Sequence, residues 1–216
     1  MSPPEIKHSM YWPRLSVMDF VTLKESMQTS FSAEYPVSAL GLSDLNFVIN
    51  APLDYRPPAN GALATLYFDQ TDRARVLPEN TYQVRCPHTL NACEFISWSE
   101  QAIDMIRLAL MHNGVVGIDL MDLVNSLRNS ASRKLVIHII TYDDPLEVPW
   151  KALQQCRFKT LFASLFAGPD LSLRSYSALG CALEELNPNV DDLKLAATAS
   201  HKNALPVLML LGELEI

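Results

Sequence analysis

Asp119 and Asp122 stand three residues apart in Gly114-Val115-Val116-Gly117-Ile118-Asp119-Leu120-Met121-Asp122-Leu123, an apolar turn between two helical patterns. Carboxylates at this spacing suit two kinds of work. As an N-cap and a first-turn acid they would satisfy free amides and complement the helix dipole, for about 1 kcal/mol each. Held rigidly at a loop-to-helix junction, they would equally suit carboxylate-assisted chemistry, and spacing fits both. The other reactive residue types are more scattered. Cys86 and His88 flank Pro87 with no acid or oxyanion partner in view, a weak nucleophile pair. Asp143-Asp144 before Pro145 suggests a divalent cation, although capping of the next helix is the simpler account. His138 reads as a core or edge histidine, its direction relative to Val136 and Ile140 depending on how exposed its strand is. His112 and His201 fall in turns, and Trp12, Trp98 and Trp150 read as core or interface anchors. Cys86, Cys93, Cys156 and Cys181 show no C-x-x-C pair or ligand spacing, which predicts reduced thiols and no structural zinc.

The elements that must position these residues alternate along the chain. Residues 45–50, 62–69 and 81–86 are apolar or alternating runs of strand length bounded by Pro, Gly and Asn. Phe95, Trp98, Ala102, Met105, Ile106, Ala109 and Leu110 recur on one helical face, which predicts a helix over 92–112 stopped at Asn113-Gly114. Leu120, Leu123, Val124 and Leu127 make a second, shorter face. A buried-strand pattern follows at 134–141, then a helix through Gln155 begun at Asp143-Asp144-Pro145, a strand over 160–167 and an amphipathic helix over 171–186. Residues 193–198 and 207–211 read as two strands in a hairpin-like connection through His201-Lys202-Asn203. Residues 1–40, broken by four prolines, fit a short helix or an extended arm equally. The order predicts an α/β chain with a mixed sheet and covering helices.

The chain has 216 residues, 49% hydrophobic and 19% charged, a globular composition with a net charge of -7. That balance argues against nucleic acid and anionic lipid as partners, which attract clustered Lys and Arg. No apolar run approaches the ~18 residues of a membrane span, and nothing at the N-terminus resembles a signal peptide, so the expected location is the cytosol.

The stretch 114–123 resembles the loop that tubulin/FtsZ-family proteins place after their central helix, written roughly Gly, an aliphatic residue, Ile-Asn-Val-Asp-Phe-Ala-Asp and a branched aliphatic residue. Gly114, Ile118, Asp119, Asp122 and Leu123 fit, and Gly117 stands where the family has Asn. Phe158 to Gly180 is similar to the family's V-x-V-N-I-T-x-G-x-D-L-x-L-x-E segment through Gly168, Asp170, Leu171 and Leu173, with Ser175 where an acid is common. The resemblance implies a domain over 88–216 like the family's second domain, with its central helix at 92–112, preceded by a reduced N-terminal α/β remnant over 1–87. Residues 1–87 could instead be an unrelated arm. The resemblance also implies that acids at 119 and 122 enter the nucleotide pocket of a neighbouring subunit and help to orient the water that attacks GTP.

The family's own GTP loop, G-G-G-T-G-S/T-G, has no counterpart. The seven glycines lie at 41, 61, 114, 117, 168, 180 and 212, and no two are adjacent. The expectation is therefore a non-enzymatic, non-GTPase tubulin/FtsZ-like protein without cofactor or metal. It would engage an FtsZ-type GTPase, or another copy of itself, through Gly114, Gly117, Asp119 and Asp122. The alternative is a structural or assembly module that reuses the fold in a homo-oligomer or larger complex with no GTPase partner.

Overall fold

The computed structural model describes residues 13–22, 43–57, 61–70, 75–86, 89–111, 114–144, 147–169, 171–199 and 205–215, and the backbone of 24–30 and 33–36. Among the described residues ten strands form one sheet: β1 (Leu15–Asp19), β2 (Lys24–Ser30), β3 (Ala33–Pro36), β4 (Leu45–Ile49), β5 (Ala64–Asp69), β6 (Thr81–Arg85), β7 (Lys134–Thr141), β8 (Phe158–Ala167), β9 (Asp192–Ala199) and β10 (Val207–Leu214). Their order is β3-β2-β1-β4-β5-β6-β7-β10-β8-β9. Strands β1, β4, β5, β6 and β7 run parallel in succession, as do β8 and β9, while β10 is antiparallel to both its neighbours. The β6–β7 pairing joins strands β1 to β6 and strands β7 to β10 in one sheet.

Four helices were found among the described residues: α1 (Ala92–Met111), α2 (Leu120–Arg128), α3 (Trp150–Leu153) and α4 (Leu173–Leu186). Helix α1 starts at a capping box, in which Asn91 Oδ1 accepts from Glu94 N at 3.0 Å and Glu94 Oε2 accepts from Asn91 N at 2.9 Å. It crosses the sheet from β5, where Phe95 and Trp98 cluster with Phe68, to β8 and β10, where Met105 and Leu108 flank a shallow cleft with Phe166 and Val207. With α2 it covers one face, burying Phe47, Leu66, Val84, Ile137, Phe162 and Met209. Because strand side chains alternate, the intervening residues Leu161, Ala163, Leu165, Leu208 and Leu210 face the other way, into a second core under α4. On that same side the β4–β5 and β5–β6 connections pack Tyr55 and Leu77 over Val48 and Tyr67.

Four expectations change. The ambiguous segment Val17 to Met27 is neither helix nor free arm. Its two ends lie in the antiparallel strands β1 and β2, because β1 gains a full parallel ladder with β4 that no local pattern announces. Strands β9 and β10 are not a hairpin: β8 separates them. The run Val207 to Leu211 is apolar on both sides and suits a central position, whereas Asp192 and Lys194 mark β9 as an edge. Asp143 and Asp144 do not cap a helix. Helix α3 begins only at Trp150, after Pro149, and Pro149 disfavours helical geometry in the residue before it. Val136, His138 and Ile140 share one face of β7, as a period of two requires, and Val136 and Ile140 pack into the α4-side core.

Candidate functional site

Residues 114–123 are fixed at both ends and exposed between. Val116 forms an isolated antiparallel bridge to the outer edge of β9: its amide donates to Ala197 O at 3.2 Å, and Ala197 N donates to Val116 O at 3.0 Å. The approach is close enough that a Cβ on Gly114 would lie 2.6 Å from Ala197 O, so glycine is required there. Gly117 differs, since a Cβ there meets nothing within 4 Å. Downstream, Asp119 caps α2 in extended geometry: Oδ1 accepts from Asp122 N at 2.9 Å, while Asp122 Oδ2 accepts from Asp119 N at 3.2 Å. This reciprocal capping box is the structural role that the spacing allowed. Leu120, Leu123, Val124 and Leu127 anchor α2 in the core, and Ser126 Oγ donates to Asp192 Oδ2 of β9 at 2.6 Å.

Between these anchors Val115, Gly117, Asp119 and Met121 are exposed, Val115 at 48% and Met121 at 42%. Two apolar side chains beside a carboxylate that already has its cap bond form a surface suited to contact. Among the described residues no group of three or more His, Cys, Asp or Glu could hold a metal.

A different polar cluster, which the sequence did not single out, sits at the carboxyl ends of β4 and β5. Asp69 ends β5 and receives Arg75 through two bonds, Nε to Oδ2 at 3.0 Å and Nη2 to Oδ1 at 2.8 Å. The guanidinium also donates to the carbonyls of Ala51 and Pro52, both at 2.9 Å, and lies 4.2 Å from the centre of the Tyr67 ring. Gln83 Nε2 adds a 2.7 Å bond to Asp69 Oδ2. The Arg75 side chain has no solvent exposure, and all these partners compensate its burial. Asn50, at φ 52°, turns the chain off β4 towards this cluster. A cavity of about 410 Å³ adjoins it, lined by Phe20, Asn50, Ala51, Pro52, Leu53, Asp69 and Gln70.

A further cavity of about 540 Å³ lies beside Asp69 and includes Arg85, His138, Cys156 and Arg157 in its wall. Here His138 finds a partner that sequence spacing could not reveal: Cys156 Sγ is 3.3 Å from its Nε2. Burial pushes the Cys156 thiol up, away from the thiolate that nucleophilic chemistry would require. Cys86 is half-buried against the α1-side core. Trp98 is partly buried and packs against the α1-side core, and Trp150 is 39% exposed. His88, His112, His201, Trp12 and Asp170 lie outside the described residues.

No protein-family model matches the sequence, and comparison with curated proteins finds no match. Solved structures do match. A mutant of FtsZ from M. jannaschii superposes with a TM-score of 0.56 at 16% identity, over 78% of this chain and 64% of that one. An empty FtsZ dimer from the same organism gives 0.56 at 14%, over 78% and 62%. CetZ2 from Haloferax volcanii, a GTPγS-bound protofilament, gives 0.54 at 11%, over 83% and 67%. The chain therefore has a tubulin/FtsZ-like fold, and it spans a little under two thirds of the length of the two FtsZ structures.

Proposed function

We propose that this chain is a non-GTPase tubulin/FtsZ-like protein that binds a subunit of a cytoskeletal filament through residues 114–123, and so caps or modulates the filament. The observation that carries the reading is a loop pinned by the Val116–Ala197 bridge and the Asp119–Asp122 capping box, with Val115, Gly117, Asp119 and Met121 left exposed. A loop fixed in this way pays little ordering entropy on contact. The likeness in fold to proteins solved as a dimer and as a protofilament supports a protein partner, either an FtsZ-type subunit or a second copy. The lack of a G-G-G-T-G-S/T-G run in this sequence supports the non-GTPase part, because that glycine-dense loop is the family's means of closing consecutive amides around phosphates. Such a protein would act in the cytosol; no described helix is long and apolar enough to cross a membrane.

Light scattering and GTPase turnover of an FtsZ-type partner, with and without the protein, test the reading. No effect at stoichiometric excess refutes it. The variant Asp119→Asn/Asp122→Asn sharpens the test, since asparagine keeps a side-chain acceptor for each cap bond while removing both charges. Partner modulation should fall sharply with the melting temperature nearly unchanged. Under the alternative, a fold-only assembly module, the substitution alters stability modestly and no partner effect exists to lose.

A further inference from the structure

We propose that the Arg75 guanidinium is the built-in occupant of the recess at the carboxyl ends of β4 and β5, which makes that recess selective for a planar cation and closed to the phosphates of a nucleotide. Open α/β sheets bind ligands outside the carboxyl ends of their strands, at the point where strand order reverses; here that point lies between β1 and β4, beside this recess. The walls have the chemistry opposite to a phosphate site. The Asp69 carboxylate, the carbonyl oxygens of Ala51 and Pro52, and the face of the Tyr67 ring all present negative potential inward. Phosphate binding needs converging N–H donors, as at a glycine-rich loop or helix N-terminus. No helix lies among the described residues between β4 and β6, and the chain leaving β4 turns carbonyls towards the recess. Arg75 meets this wall with its planar fork, bidentate on Asp69, and Gln83 fixes the carboxylate from a third direction. An ion pair within the chain thus fills the space between the carboxyl ends of β4 and β5. The inference deepens the non-GTPase reading and rests on it only for the ligand it excludes.

Thermal unfolding of the full chain provides the test. The wild type should melt at the same temperature with and without GTP or GDP and Mg²⁺. Arg75→Ala should melt roughly 6–20 °C lower, because it leaves Asp69 buried without its partner. Millimolar methylguanidinium should restore much of that loss in the variant without raising the wild type, and methylammonium or inorganic phosphate should not. If Arg75→Ala does not fold, Arg75→Lys, which keeps the charge and loses the fork, should itself melt below the wild type, and a melting temperature equal to the wild type's overturns the assignment. Failure of methylguanidinium to outperform methylammonium, or an unchanged melting temperature in the variant, overturns the assignment of Arg75 while the non-GTPase reading stands. Stabilisation of the wild type by GTP overturns both.

Discussion

The two glycines of the 114–123 loop should respond to alanine in opposite directions, although both occupy the same ten-residue stretch. In Gly114→Ala the new methyl would sit 2.6 Å from Ala197 O and 3.0 Å from Val116 O, where ordinary contact begins at 3.4 Å. The loop must therefore withdraw from β9 by roughly 0.8 Å. The two hydrogen bonds of the Val116–Ala197 bridge, now 3.2 and 3.0 Å, then leave the range of useful geometry. At about 1 kcal/mol each they are worth about 2 kcal/mol, offset by ~0.4–1 kcal/mol from the lower entropy of the unfolded alanine chain. The net cost of about 1–2 kcal/mol corresponds to a fall of roughly 2–8 °C in melting temperature for a chain of this size. In Gly117→Ala no atom lies within 4 Å of the new methyl and the backbone is not left-handed, so the entropy term acts alone. A rise of roughly 1–4 °C is expected. Calorimetry of both variants, with amide hydrogen exchange at Val116 and Ala197, measures the difference. Equal shifts, or a Gly114→Ala chain that keeps its protection at Ala197, would refute the claim that the bridge anchors the loop.

Further perturbations test the scaffold. Gly212→Ala places a methyl 2.0 Å from the carbonyl oxygen of Thr160 in the middle of the β8–β10 ladder, so it should cost about 3 kcal/mol or more and lower the yield of folded protein. Burial pushes the Glu213 carboxyl up, but the hydroxyls of Ser130 and Ser132, the Ser132 amide and the Lys159 charge outweigh it and hold the group below its ordinary value. A depressed carboxylate stabilises the fold above the pKa of the unfolded chain and loses that contribution as pH falls through the folded value. Glu213→Gln should therefore flatten the acid limb of melting temperature against pH. Burial pushes the Tyr142 phenol up to about 12. The sign is reversed: its contribution is intact below the unfolded pKa of ~10 and lost as pH rises through the folded value. Burial also pushes the Tyr67 and Tyr82 phenols up, so ultraviolet titration should show late phenolate absorbance that Tyr142→Phe reduces by one tyrosine.

Much of the architecture was legible because it is written in local periodicity. The helical face from Phe95 to Leu110, the strand runs of β4 to β8 and the α2 pattern each record which side of one element is buried. Asp119 and Asp122 were likewise readable as a cap pair, since an N-cap and its N3 partner are three residues apart in any helix. The misreadings share a cause. A hairpin between β9 and β10 is the shortest closure of two adjacent strands, and only the pairing of β10 with both β7 and β8 excludes it. Helix α3 was misplaced because Asp143-Asp144-Pro145 has the chemistry of a helix start, while the start itself was delayed to Pro149.

The sequence by itself determined the order of elements from β4 onwards, the burial of each face, the glycine distribution and the capping chemistry of Asp119 and Asp122. Those properties depend on neighbours within a few residues. The tertiary structure alone decided that Val116 would bridge Ala197, that Arg75 would close on Asp69, Ala51 and Pro52, and that His138 would meet Cys156. Each of these contacts depends on the order of strands in a ten-stranded sheet and on the path of its connections. Strand order reflects which apolar faces can be buried together, a free energy shared by the whole sheet and carried by no single stretch of chain.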